Sequence, residues 1–202
     1  MRAITVSFLF LAVTACSSGV VTGVPSFPSH SHSSVATATP SPGQSALNQV
    51  SDPRQVTGKI TGPCHTSDNG MLPDPRCTPG AYDPAITAAK LCAPGYTTRD
   101  YRPPVDETEK AKRIIEQAYG QSQDQHGELD HLISLELGGA NDLSNLWEEV
   151  GPIPNDKDTV ENTLHRWVCE TTGAAAETRL HLAQTAIARN WQTALSDLDV
   201  SV

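Results

Sequence analysis

An acidic residue and a histidine stand side by side, at Asp130 and His131, within the otherwise apolar stretch from Leu129 to Leu135. Neighbouring residues of a strand point to opposite faces, so a strand here would turn one of the two side chains inward. A buried carboxylate or imidazole requires a partner. The pair is therefore the first candidate for chemistry, either as a catalytic and metal-binding unit or as a buried pair whose hydrogen bonds are satisfied.

Further polar side chains follow on a predicted helix. Asp158, Asn162 and His165 are spaced so that they share one helix face, which lies beside the apolar face. That polar face could converge with the Asp-His pair on a metal ion. Asn155 precedes these residues and fits two interpretations. It could be a ligand of the ion, or it could be the N-cap of the helix, with Asp158 completing a capping pattern.

These residues resemble the HNH, or ββα-metal (His-Me finger), endonucleases. The resemblance is carried by ELDHLISLELGG at Glu128–Gly139, by NLW at Asn145–Trp147 and by NDKDTVENTLH at Asn155–His165. A subgroup of exported bacterial HNH-like proteins is similar also at CTPG, Cys77–Gly80, and at RPP, Arg102–Pro104. On this basis the resemblance covers roughly residues 70–195.

The resemblance implies a role for each matching residue. Asp130 would bind one divalent ion, Mg²⁺ or Mn²⁺, together with Asn155 on the helix side. His131 would be the general base that activates water, and Asn145 would orient its imidazole. His165 would contact the phosphate or support the residues around the ion. The implied activity is divalent-metal-dependent hydrolysis of nucleic-acid phosphodiester bonds outside the cytoplasm.

Charge argues against tight binding of DNA or RNA. The chain has 202 residues and a formal net charge of −9, and residues 131–202 carry 4 Lys and Arg against 11 Asp and Glu. Because phosphate contacts depend mainly on Lys and Arg, nucleic acid would bind weakly and in a salt-sensitive way, or through Lys110, Lys112, Arg113 and Arg166. Two alternatives follow: a non-enzymatic surface lipoprotein that uses the HNH-like scaffold for binding or envelope structure, and a hydrolase of another phosphate ester.

The N-terminus carries an export signal. Arg2 precedes an apolar run at Ile4–Val13, and the small residues that follow lead to Cys16 in a pattern that resembles a bacterial lipobox. We expect residues 1–15 to be a lipoprotein signal peptide, Cys16 to be lipidated, and residues 16–51 to form a disordered Ser/Thr/Pro-rich tether. The protein would then be an exported monomer, anchored by lipid on the outer side of the bacterial cytoplasmic membrane. An ordinary cleaved signal peptide is the alternative.

Four further cysteines form an even set in an exported chain, which predicts two disulfides. Three pairings are open. We favour Cys64–Cys77 with Cys92–Cys169, because the second bond would join the C-terminal helices to the loop-rich N-terminal half. A zinc site is the rival interpretation, although these cysteines lack the two-residue spacing that is typical of zinc ligands.

The elements that must position these residues follow from periodicity and helix signals. Residues 52–104 are rich in turns, with one short helix from Asp83 to about Leu91. The pattern predicts strands at 129–135 and 145–147, and helices at 106–119, from Asn155 or Asp156 to near Gly173, and at about 175–195. The predicted fold class is therefore α+β: a small ββα-metal (HNH-like) finger with flanking helices, linked by disulfides over residues 52–202 and preceded by the tether.

Overall fold

The structure is a computed structural model that describes residues 52–121 and 127–202. These residues form five α-helices and one two-stranded antiparallel sheet. In chain order the elements are α1 (Ala88–Leu91), α2 (Val105–Tyr119), β1 (Gly127–His131), β2 (Leu146–Val150), α3 (Asp156–Cys169), α4 (Gly173–Asn190) and α5 (Ala194–Asp197). The prediction of mixed helix and strand is confirmed.

The predictions for the N-terminal segment concern residues that lie outside the described ranges. They are the signal peptide, the lipidation of Cys16 and the tether. Within residues 52–121 and 127–202, no helix combines the length and the apolar character needed to cross a membrane.

Helix α2 forms where the sequence pattern predicts it, and it packs against β2. Asp106 and Glu107 place negative charge in the first turn, where it interacts favourably with the helix dipole. Gly120 follows the last helical residue at a φ of 64°, a left-handed conformation in which its N–H bonds carbonyls of the last turn. Ala111 and Ile115 are buried, so one side of the helix contributes to the core.

The short helix predicted from Asp83 is reduced to the four residues of α1. The Asp83 carboxylate accepts a hydrogen bond from the backbone N–H of Ala85 at 2.8 Å, which fixes a turn at this point instead. Thr87 then begins α1, because its side chain accepts a backbone N–H from Lys90 in the first turn.

The hairpin differs in length from the prediction. Strand β1 ends at His131 rather than at Leu135, and β2 continues to Val150. After His131 the side chain of Asn145 bonds both the N–H and the C=O of Ile133, which replaces strand pairing by side-chain pairing. The chain then makes a single 3₁₀ turn at Leu135–Leu137.

The C-terminal helical segment is broken in two. Helix α4 ends at Asn190, and the separate short helix α5 begins at Ala194, whereas the sequence pattern predicts one helix to about residue 195. Trp191 lies at the break, and its indole N–H donates to the backbone O of Met71 at 2.7 Å. This bond ties the end of α4 to the turn-rich N-terminal part.

Two apolar clusters support the hairpin. The larger one joins α1, α3, α4 and α5 to the segment after β1, and its most buried members include Leu91, Ile133, Leu137, Leu164, Val168, Leu180 and Ile187. The smaller one joins α2 to the start of β2 through Ala111, Ile115, Leu143 and Leu146. The hairpin itself contributes to the smaller cluster, through Leu146 and the partly buried Leu129, whereas the larger cluster packs on the segment after β1.

Both disulfides have the favoured pairing. Cys64 is bonded to Cys77 and Cys92 to Cys169, with Cα–Cα distances of 6.0 and 5.4 Å. The second bond joins the residue after α1 to the last residue of α3, across a sequence separation of 77 residues. The predicted disulfides are confirmed, and all four of these thiols are used in them.

Candidate active site at the hairpin

The antiparallel register sends the two candidate residues to opposite sides of the hairpin. Asp130 is paired with Trp147, and His131 is paired with Leu146. Directly paired residues share a face of the sheet, whereas neighbours along a strand alternate between faces. We therefore distinguish an Asp130 face, which Asp130 shares with Trp147, from a His131 face, which His131 shares with Leu146.

A lysine from α3 closes the Asp130 face. The Lys157 ammonium donates to Asp130 Oδ2 at 2.6 Å and to the backbone O of His131 at 2.8 Å. It also forms an ion pair with Glu161, one helical turn further along α3. These three acceptors match the three donor protons of an ammonium, and only 1% of the Lys157 side chain is exposed. The lysine is thus enclosed between β1 and α3.

These contacts determine the charges on this face. Burial opposes the charged form of Lys157, but Asp130 and Glu161 hold its pKa above the usual value. Burial also opposes the Asp130 carboxylate, yet the positive charge of Lys157 holds the pKa of Asp130 below its usual value. Burial raises the pKa of Glu161 to about 7 despite the contact with Lys157. The face therefore holds a charged Lys157–Asp130 pair and a carboxyl that titrates near neutrality.

Glu149 adds a second buried carboxyl group to the Asp130 face. The residue is 2% exposed, and as a carboxylate it has no hydrogen-bond donor among the described residues. Burial and the nearby negative charge of Asp130 raise the pKa of Glu149 to about 8. A Glu149 that keeps its proton at neutral pH can donate a hydrogen bond to Asp130, which satisfies both groups.

Asn141 orders the His131 face. Its amide nitrogen donates to the backbone O of Pro53 and to that of Tyr101, at 2.6 Å each. Its Oδ1 therefore faces His131 Nε2 at 2.7 Å, and Nε2 must carry the proton. Burial lowers the pKa of His131, so the ring is neutral and Nδ1 is its free acceptor. Within the described ranges, no hydrogen bond reaches Nδ1.

A cavity of about 90 Å³ lies beside the imidazole. Arg102 and Thr108 line it together with His131, and the remaining lining is apolar, with Leu129 and Leu146 among its members. The His131 face therefore offers space next to a neutral ring. On the Asp130 face, the side chain of Lys157 fills the space next to Asp130.

Asn145 supports the backbone and makes no contact with the imidazole. Its Oδ1 accepts from the N–H of Ala81 at 3.2 Å and from that of Ile133 at 2.9 Å. Its amide nitrogen donates to the backbone O of Ile133 and to that of Ala140, at 3.0 Å each. The residue is completely buried, and these four bonds use its full capacity. The structure thus places Asn141, and not Asn145, against His131.

The predicted helix residues do not gather around the Asp-His pair. Asn155 forms a capping box with Asp158, in which each side chain accepts the backbone N–H of the other, at 3.0 and 2.9 Å. His165 Nδ1 lies 2.8 Å from the backbone O of Glu136 and so donates to it. Asn162 donates to the backbone O of Asp158 at 2.7 Å. The contacts of Asn155 are therefore those of a helix N-cap.

This geometry does not fit the divalent ion that the resemblance implies. Asp130 Oδ2 accepts from Lys157, and Asn155 Oδ1 accepts a backbone N–H of α3. An ion between β1 and α3 would lie against the buried ammonium, and two neighbouring positive charges repel each other strongly. The described residues contain no group of three or more His, Cys, Asp or Glu side chains that could hold a metal ion.

Sequence patterns miss four residues that build the site, namely Asn141, Glu149, Lys157 and Glu161. Lys157 does carry a local signal, because it stands in the first turn of a helix, where positive charge opposes the dipole. Glu161 follows four residues later, at the spacing of a helical ion pair. Asn141 and Glu149 have no comparable signal, since their partners come from distant parts of the chain.

Comparison of the chain with known protein families, with curated proteins and with solved structures finds no match. The resemblance to HNH endonucleases therefore depends on the motifs alone. The geometry of the two hairpin faces is the basis for a functional proposal.

Proposed function

We propose that this chain is a non-enzymatic, exported lipoprotein that uses an HNH-like ββα scaffold for binding at the cell envelope. The observation that carries the proposal is the position of Lys157. Its ammonium takes the place between β1 and α3 that the resemblance assigns to a divalent ion, and it pairs there with Asp130, the implied ligand.

The energetics of burial support a permanent role for this ammonium. Removing one partner of a buried ion pair lowers the free energy of unfolding by roughly 3–5 kcal/mol, because the other charge stays buried without compensation. A metal ion would have to displace Lys157 from three acceptors or share them with it. The lysine is also too enclosed to reach a substrate phosphate, so it cannot replace the ion in catalysis.

The surface charge supports binding of something other than nucleic acid. Arg179 is paired with Glu170 at 3.0 Å, and Arg189 is paired with Asp197 at 2.6 Å. Lys157 is buried and adds nothing to the surface potential. These pairs neutralise basic side chains that a phosphate backbone would otherwise contact.

A second candidate, a phosphodiesterase with His131 as the base, is favoured by one observation. The imidazole is neutral, Asn141 fixes its tautomer so that Nδ1 is the free acceptor, and the residue lines a cavity. A general base requires such an acceptor. This candidate places catalysis on the His131 face alone.

Cleavage assays separate the two candidates. Purified protein with both disulfides formed is incubated at low salt with plasmid DNA and with RNA, in the presence of Mg²⁺, Mn²⁺ or EDTA. The assay includes His131→Ala and a matched exposed-histidine control, His181→Ala, each checked for folding by circular dichroism. The binding proposal predicts no cleavage above the buffer level. Cleavage by the wild type and by His181→Ala, but not by His131→Ala, would contradict it and establish the phosphodiesterase.

A further inference from the structure

The cavity on the His131 face is lined by two side chains that can accept hydrogen bonds. His131 Nδ1 is an acceptor, because Nε2 carries the ring proton toward Asn141. The Thr108 hydroxyl donates to the backbone O of Pro104 at 3.2 Å, which leaves its oxygen as a second acceptor. A ligand in this cavity must therefore bring a hydrogen-bond donor.

The same cavity has one cationic side chain. Arg102 lines it and is exposed to solvent. Among the residues that the structure describes, no carboxylate lies within ion-pair distance of Arg102, although its charge reaches the Glu128 carboxyl and opposes the rise of the pKa of that group. A guanidinium at the edge of a cavity that is not held in a direct ion pair favours an anionic group, which it can bind through two parallel hydrogen bonds. The ligand should therefore also carry a negative charge.

Size and apolar lining limit the rest of the ligand. A volume of about 90 Å³ is small for a ligand site, since pockets for drug-sized ligands measure about 300–1,000 Å³, and it favours a ligand of few atoms. Val56, Leu129 and Leu146 supply apolar surface. A phosphate group would turn some of its oxygens toward these side chains without hydrogen bonds, at a cost of a few kcal/mol for each oxygen, about 1–3 by mutational data.

Resting on the binding function proposed above, we propose that this cavity binds a short-chain hydroxycarboxylate of two or three carbon atoms. The hydroxyl group donates to His131 Nδ1, the carboxylate pairs with Arg102, and the carbon body packs on the apolar lining. An amino acid is a poorer match, because its ammonium would enter a cavity whose lining has no Asp or Glu.

Calorimetric titration of the full chain tests this assignment. The probes are glycolate and lactate, with acetate and propionate as matched acids that lack the hydroxyl group, and with alanine and inorganic phosphate as competing classes. We expect saturable binding of glycolate or lactate, and weaker binding of all four other probes. Binding by alanine or phosphate as tight as that of the hydroxy acids would overturn the assignment, as would the absence of saturable binding by either hydroxy acid.

Two arginine variants locate the site. Arg102→Gln removes the guanidinium of the cavity, whereas Arg99→Gln removes an equally exposed guanidinium that does not line it. We expect Arg102→Gln to weaken binding at least about tenfold, which corresponds to about 1.4 kcal/mol, and Arg99→Gln to leave it unchanged. Equal effects of the two variants would place the ligand elsewhere. Ring nitrogen shifts of His131 on adding lactate provide an independent readout, and their absence at saturation would also overturn the site.

The outcomes for this site and for the proposed function are distinguishable. Cleavage of nucleic acid dependent on His131 would contradict the binding proposal whether or not lactate binds. The failure of all small acids to bind, in protein that cleaves nothing, would reject the hydroxycarboxylate assignment alone.

Discussion

The neighbouring residues Asp130 and His131 have opposite surroundings on the two faces of the hairpin. On the Asp130 face, the protein supplies its own cation, since Lys157 fills the space between β1 and α3. On the His131 face, the imidazole is held by Asn141 and adjoins a cavity. Asp130 and His131 are adjacent in the sequence motif, but their side chains lie in two separate environments. One of them is closed by a buried ion pair, and the other is open to a small ligand.

Breaking the ion pair of the Asp130 face should destabilise the protein most strongly. Lys157→Met leaves the buried Glu161 and the half-buried Asp130 without their cation, and we expect it to lower the free energy of unfolding by about 3–5 kcal/mol. Urea unfolding monitored by circular dichroism measures this change. The control variant is Lys110→Met, since Lys110 is exposed and pairs with Glu107 at 2.7 Å on the surface of α2. It should destabilise the protein far less, because an exposed ion pair contributes little to stability. Similar losses in both variants would mean that the enclosed position of Lys157 adds nothing to the strength of its pairs.

The Asp130 face should lose stability as pH rises. The pKa of Glu149 is raised from 4.5 to about 8, so the folded state keeps a proton that the unfolded state has released between these values. Stability therefore falls from about pH 5 toward pH 8, by an amount on the order of 2 kcal/mol. Glu149→Gln removes one of the two carboxyl groups of this face that titrate near neutrality, the other being Glu161, and should make this part of the pH profile less steep. Chemical unfolding at several pH values is the measurement, and a variant with the same slope as the wild type would refute the assignment.

The His131 face should respond to pH in the opposite direction. Burial lowers the pKa of His131 below 6.5, so below that pH the unfolded state binds a proton that the folded state resists. Stability therefore falls as pH decreases below 6.5. His131→Gln should remove this acid-side loss and leave the alkaline-side loss of Glu149 intact. If His131→Gln instead changes the loss of stability toward pH 8, the titrations of the two faces are coupled.

The smallest expected effect on stability is that of Arg102→Gln. The guanidinium is exposed, and we expect a change within about 0.5 kcal/mol, as for most surface substitutions. Thermal unfolding followed by fluorescence is sufficient to check it. A large loss would mean that Arg102 supports the fold, and the expected loss of hydroxycarboxylate binding would then have a structural cause.

Local features of the chain could be predicted from the sequence. The boundaries of α2 follow from helix periodicity and from the position of Gly120, and the N-terminus of α3 follows from the capping pattern at Asn155. The disulfide pairing also agrees with the expectation that one bond joins the C-terminal helices to the loop-rich N-terminal half. These features depend on residues that are near in sequence or on a small number of pairings.

The site itself depends on contacts that no local pattern reveals. Lys157 reaches Asp130 across 27 positions, and Asn141 reaches Pro53 across 88. A lysine is almost never fully buried without a charged partner, so a sequence argument places it at the surface by default. The choice between Asn141 and Asn145 as the partner of His131 likewise depends on the turn that follows β1, which replaces the longer predicted strand.

The most direct test of the account is a Mn²⁺ titration followed by electron paramagnetic resonance. The wild type is compared with Lys157→Ala and with Asp130→Asn, each at a temperature where it is folded. If Lys157 is the resident cation of the hairpin, the wild type binds no Mn²⁺ in a saturable way, and Lys157→Ala gains binding because the acidic side chains around the vacated position are exposed to the ion. Saturable binding of Mn²⁺ by the wild type, lost in Asp130→Asn, would contradict the account and restore the metal-dependent nuclease.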